Sequence, residues 1–189
     1  MYLPELQPEE GINGIDDFLA RHGPEPALAL LAAARLFEPK DKLAALPMTD
    51  FGAEQAFELL YGADFLYDHT SKQWLSWQYR HWERDARGAA DRAMIATAKA
   101  LLDAAAALPD ATKKEEEEKK ARFRFAFKLQ NAMHRQAALK SATTNRKFAR
   151  LTTDFDRNPD LLGVLNGTVD LQTGRLLPPD RAQLITKTC

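Results

Sequence analysis

The spacing of apolar residues changes along the chain, and each change marks an expected element. Residues 15–37 read as helix in two pieces, broken at His22-Gly23-Pro24. The second piece, Pro26 to Leu36, is nearly all Ala and Leu, so it needs cover on several sides. Glu38-Pro39-Lys40-Asp41-Lys42 opens a linker over 39–48. Thr49-Asp50 then caps a helix, with Glu54 in its first turn, which runs through Ala56, Phe57 and Leu60 to Tyr61-Gly62. Ala89 to Leu108 is an Ala-rich helix stopped by Pro109, and Thr112 caps another that continues to about Lys140. A break and a fresh start are expected at Ser141-Ala-Thr-Thr.

Two stretches carry strand signals instead. Between Phe65 and Trp82 lie Phe65, Tyr67, Trp74, Trp77, Tyr79 and Trp82, with turns expected near Ser71 and at Gln78–Arg80. Aromatics are enriched in strands, so this unit reads as the core of a small antiparallel sheet. An exposed Trp77 or Trp82 would instead offer a ring on which a base can stack. The second stretch starts at the turn residues Asn158-Pro159-Asp160. The short runs Leu161–Leu165, Thr168–Leu171 and Arg175–Leu177 follow, with Asn166-Gly167 as the hairpin signal and Gln172-Thr173-Gly174 as the next turn. The expected fold is therefore α+β and mainly helical, with two small antiparallel β units around 65–84 and 161–178.

Composition adds little until it is divided along the chain. The 189 residues are 45% hydrophobic and 28% charged, with a formal net charge of −1, an ordinary globular balance. No apolar run reaches the length of a membrane span, no signal peptide opens the chain, and the single cysteine is Cys189. A reducing, cytoplasmic setting with no membrane partner is expected. The net charge conceals a split, however. Residues 1–60 carry eleven acids against four bases, whereas residues 119–150 carry ten bases and no acid. Such asymmetry points to a nucleic-acid-binding segment.

On a continuous helix, Arg124, Lys128 and Arg135 fall within one narrow arc. Phe123, Ala126, Phe127, Leu129, Met133 and Ala137 gather opposite them, and Lys140, Arg146, Lys147 and Arg150 extend the positive charge. These seven cations are the candidate phosphate contacts, against the plainer reading of a solvated face. The preceding Lys113-Lys-Glu-Glu-Glu-Glu-Lys-Lys is a solvated face with Glu115/Lys119 and Glu116/Lys120 in the favourable order. No phosphate-binding Gly-x-x-x-x-Gly-Lys-[Ser/Thr] occurs, the four histidines lack ligand spacing, and no nucleophile motif is present. No cofactor, metal or catalytic residue is expected, and the chain alone should neither bind nor hydrolyse ATP. Asp16-Asp17 reads as favourable charge at a helix start, against a remnant of a primase metal site.

Several motifs in order resemble one family. Thr49-Asp50-x-Gly52, Phe57 and Tyr61-Gly62 are followed by Tyr67, Trp74-x-x-Trp77 and Trp82-x-x-Asp85, then by Lys140-Ser141. The closing segment is Phe155-Asp156-x-Asn158-Pro159, Asn166-Gly167-Thr168-x-Asp170-Leu171-x-Thr173-Gly174 and Thr186-Lys187. Together they resemble the domain that precedes the superfamily-three helicase in phage and plasmid primases of the poxvirus primase-helicase type. Gly11-x-x-Gly14-Ile15-Asp16-Asp17-Phe18-Leu19 with Gly23 is similar to the tail of a toprim-like primase domain.

The resemblance implies three parts: a primase-like helical tail over 1–38, the linker 39–48, and a collar domain over 49–189. It also implies a non-catalytic DNA-contacting and assembly role in replication of a phage, virus or plasmid. Its partners would be single-stranded or forked DNA and a helicase ATPase domain in the same or a partner chain, assembled as a hexameric ring. The family pattern runs on from Thr186-Lys187 into the ATPase, whereas this sequence ends at Cys189, which implies an excised piece or a split gene. Gln78-Tyr79-Arg80 stands where the family has a Gly-containing turn, so a longer or bulged hairpin is expected. The alternative role is an oligomerisation module without direct DNA binding, in which the Ala-rich helices 26–36 and 89–108 pack between protomers.

Overall fold

Residues 40–189 are described by a computed structural model of the chain. The helices expected over 15–37 and the Asp16-Asp17 pair lie outside the described residues.

Five helices lie between residues 40 and 142: α1 (Lys40–Ala45), α2 (Asp50–Tyr61), α3 (Ala89–Ala106), α4 (Lys113–Lys128) and α5 (Ala132–Ala142). Local chemistry explains their ends. Thr49 Oγ1 accepts the Gly52 amide at the start of α2, and Thr112 with Glu115 forms a reciprocal capping box at the start of α4. Helix α1 occupies most of the stretch expected as linker. Leu43, within it, is fully buried, and Leu46, just past its end, packs at the edge of the core.

The alanines of α3 make close packing possible. Ala90, Ala93, Met94, Thr97, Ala98, Leu101, Ala104 and Ala105 are all buried. Helices α1, α2, α4 and α5 all pack on α3. Its inward apolar face is thus covered within the domain, while Ile95 on the outer side stays exposed.

A four-stranded sheet follows the order β3-β2-β1-β4, with β1 (Phe65–Asp68), β2 (Gln73–Trp77), β3 (Trp82–Arg84) and β4 (Ala149–Arg150). The first three form the expected antiparallel meander, and β4 adds a parallel pair to β1. Both faces are used, because strand side chains alternate. Phe65, Tyr67 and Trp74 join the helical core, where Phe57 sits 5.3 Å from Phe148, 5.5 Å from Phe65 and 5.9 Å from Trp74 between ring centroids. Leu66, Leu75 and Trp82 face the other way and pack with Trp77, Phe155 and Leu184.

The second sheet is the expected meander of β5 (Leu161–Val164), β6 (Gly167–Asp170) and β7 (Arg175–Leu177). Its first turn is displaced by one residue from the Asn166-Gly167 expectation. Val164 pairs with Gly167, leaving Leu165-Asn166 as the loop, and neither takes a positive φ. Gly167 opens the second strand, and only glycine fits there, because a Cβ would lie 2.3 Å from the Leu177 carbonyl oxygen. Gly163 has a similar reason: its Cβ would meet the Lys187 carbonyl oxygen at 2.5 Å, where Thr188 bridges to β5.

Candidate nucleic-acid interface

The single helix expected from Thr112 to Lys140 is two. Helix α4 ends at Lys128, Leu129 turns fully into the core, and Asn131 caps α5 by accepting the Met133 amide. Asn131 is a good capping residue and was the available sequence signal; the unbroken run of helix formers around it hid the boundary. The interruption dissolves the expected arc. Phe127 and Met133, expected inside, are 59% and 69% exposed.

The seven candidate cations consequently divide into three groups. Arg124 and Lys128 are exposed on the last turns of α4. Arg135, on α5, lies between the other two groups in sequence, and its side chain is only 15% exposed. It pairs with Asp91 at the start of α3 and donates to the Gln130 carbonyl, so its charge is neutralised by the fold. Lys140 lies in the last turn of α5, while Arg146 and Lys147 are exposed on the turn that follows. Arg150, half-buried on β4, folds back to donate to the Arg146 and Ala149 carbonyls. Among the described residues, Arg124, Lys128, Lys140, Arg146, Lys147 and Arg150 have no carboxylate partner.

The turn that presents Arg146 and Lys147 is held from beneath. The Asn145 amide donates to both Glu54 Oε1, at 2.5 Å, and Glu58 Oε2, at 2.6 Å, on successive turns of α2. Glu54 is 2% exposed, so its role is this tie and not an N-terminal charge. Phe148, fully buried, plugs the aromatic core directly after the two cations. A second support comes from Asp68, which is buried at the end of β1. Burial opposes its charge, but hydrogen bonds from the Thr152 and Ser71 hydroxyls and the Thr70 amide more than compensate and hold its pKa below the usual carboxylate value.

At the other end, Arg124 and Lys128 border a cleft of about 490 Å³ lined also by Met48, Asp50, Phe125 and His134. Here the acidic side is satisfied in part: His134 Nδ1 lies 3.4 Å from Asp50 Oδ1. The low-complexity run upstream is a solvated surface, but Lys119 does not meet Glu115. It donates to the Leu108 carbonyl and pairs with Asp110, since Glu115 is engaged in the helix cap, while Glu116 and Lys120 do pair.

The tryptophan unit is core. Trp82 is 3% exposed and donates through Nε1 to the Arg181 carbonyl. Trp77 is half-buried beside it, with the Arg181 guanidinium 5.3 Å from its ring centroid. The exposed aromatic is Tyr79, at 87%, in the four-residue loop between β2 and β3. Its φ of 62° explains why a glycine was expected in this turn.

The family model described as D5 N terminal like matches residues 54–189, from within α2 through the second sheet. The chain belongs to this family. D5 N-terminal-like domains are the N-terminal domain of D5-type primase-helicase proteins of DNA replication, and the domain is non-catalytic. The match takes in every exposed cation named above and leaves residues 1–53 outside it. No curated protein matches the chain in sequence. Among the described residues no cluster of metal-ligating side chains occurs, and no helix is long and apolar enough to cross a membrane.

Proposed function

We propose that this D5 N-terminal-like domain contacts DNA and supports assembly in a phage-, virus- or plasmid-type replication primase-helicase. The reading is carried by one observation: Lys140 in the last turn of α5, and Arg146 and Lys147 on the following turn locked by Asn145 and Phe148, have no carboxylate partner among the described residues. A rigid platform holds cations at fixed spacing and so limits the entropy lost when they meet phosphates. The domain itself supplies no catalysis; a superfamily-three ATPase domain, in the same or a partner chain, would supply helicase activity, and the working form would be a hexameric ring.

The test is DNA binding by the triple variant Lys140→Glu/Arg146→Glu/Lys147→Glu, with circular dichroism as a check on folding. Wild-type binding should weaken steeply with salt, because each neutralised phosphate releases counterions. The variant should fold normally and lose most of its affinity. A folded variant that binds single-stranded and forked DNA as wild type does would sink the proposal.

A second reading, oligomerisation without DNA contact, is favoured by the second sheet. Leu162, Val169 and Leu176 lie in one cross-strand row, with Leu162 and Leu176 38% and 51% exposed. Light scattering showing a defined oligomer without DNA, together with no DNA binding at low salt, would select it.

A further inference from the structure

We infer that the cleft between the α1–α2 junction and the end of α4 seats unpaired nucleotides of a single DNA strand, with phosphates at Arg124 and Lys128 and a base against Met48 and Phe125. This rests on the DNA-contacting reading above and adds the strand form and its seat. Arg124 and Lys128 are one helical turn apart on the same face, about 6 Å along the axis, close to one step of an extended strand. Neither has a carboxylate partner among the described residues. Behind them the lining turns apolar: Leu129 is fully buried, Phe125 is half-buried, and Met48 stands 43% exposed at the rim.

A cationic wall beside an aromatic and thioether floor suits a single strand, whose bases are free to lie on such a surface. A duplex keeps its bases stacked inside and offers the floor nothing to cover. Asp50 and His134 line the same cleft and supply acceptor and donor groups for a base edge. The volume, about 490 Å³, falls within the range of roughly 300–1,000 Å³ usual for ligand sites.

The experiment uses the full chain with a fluorescent twelve-nucleotide oligothymidylate and a duplex of equal length, read by anisotropy over a salt series. A second arm photocross-links an oligothymidylate carrying 5-iododeoxyuridine and maps the modified peptide by mass spectrometry. Wild type should prefer the single strand. Arg124→Gln/Lys128→Gln should lower its log–log salt slope by about 1.4, two contacts at about 0.7 each, and change duplex binding less. Cross-links should fall within 48–51 or 124–134. Equal loss on both DNA forms, an unchanged slope, or cross-links confined to 140–150 would overturn the cleft while leaving the DNA-contacting reading standing. If wild type binds neither form at low salt, both readings fail.

Discussion

The two sheets are built from similar three-strand meanders, yet they are stabilised in different ways. In the first, β1–β3 are buried on both faces: helices cover Phe65, Tyr67 and Trp74, and the C-terminal segment covers Leu66, Leu75 and Trp82. In the second, β5–β7 contribute no residue to either apolar cluster, and Leu165, Leu171 and Leu176 are more than half exposed. That sheet is held by backbone and polar ties. Arg80 donates to the Leu165 carbonyl and the Cys189 amide to that of Gly163 on β5; the C-terminal segment beside β5 is itself held by the Trp82 backbone amide on the Ile185 carbonyl and by the Thr186 amide and hydroxyl on Asp156. Strand formation and burial are therefore separate properties here: turns specify the first, and covering elements specify the second.

The sharpest way to break the comparison is Phe57→Ala. Phe57 meets Tyr61, Phe65, Trp74 and Phe148, so its removal should cost about 3–5 kcal/mol and lower the midpoint of cooperative denaturant unfolding for both sheets together. Unfolding of the second sheet alone, with the first intact, would show that the polar ties do not couple the two sheets. Next in size is Asn145→Ala, which leaves Glu54 and Glu58 without their shared amide donor. About 1–3 kcal/mol should be lost by chemical denaturation, with the variant still folded at neutral pH.

Thr152→Val probes the junction where the chain leaves the first sheet for the second. The folded-state pKa of Asp68 lies below its unfolded value near 4, so its stabilisation is present above that value and is lost as pH falls through the folded pKa. Removing the Thr152 donor should raise the folded pKa, start the acid-side loss at higher pH, and cost about 1 kcal/mol at neutrality. An unchanged acid unfolding profile would count against this. The smallest effect is expected for Leu176→Thr on the exposed row of the second sheet: within about 0.5 kcal/mol in thermal melts. A loss comparable to Phe57→Ala would show that this face is covered after all.

Much of the architecture was legible because it depends on neighbours in sequence. Thr49 and Thr112 announce helix starts, Pro109 a stop, and the turn residues between 158 and 174 a meander, each through bonds made within a few residues. The aromatic run from Phe65 to Trp82 likewise announced a sheet. Its choice of buried and exposed rings depends on what lies across from each residue: Leu184 and Ile185 approach Trp82 from a hundred residues away, whereas Tyr79 is left 87% exposed.

The candidate interface divides along the same line. The sequence by itself determined the acid-free stretch 119–150, its helix-forming character and the identity of the seven cations. Tertiary structure alone decided that Leu129 enters the core, that Asp91 neutralises Arg135, and that Asn145 ties down the turn bearing Arg146 and Lys147. Asp91, Glu54 and Glu58 lie more than forty residues from the groups they meet. A charge pattern counts such residues only where they stand along the chain, whereas ion pairing acts over a few ångströms in space.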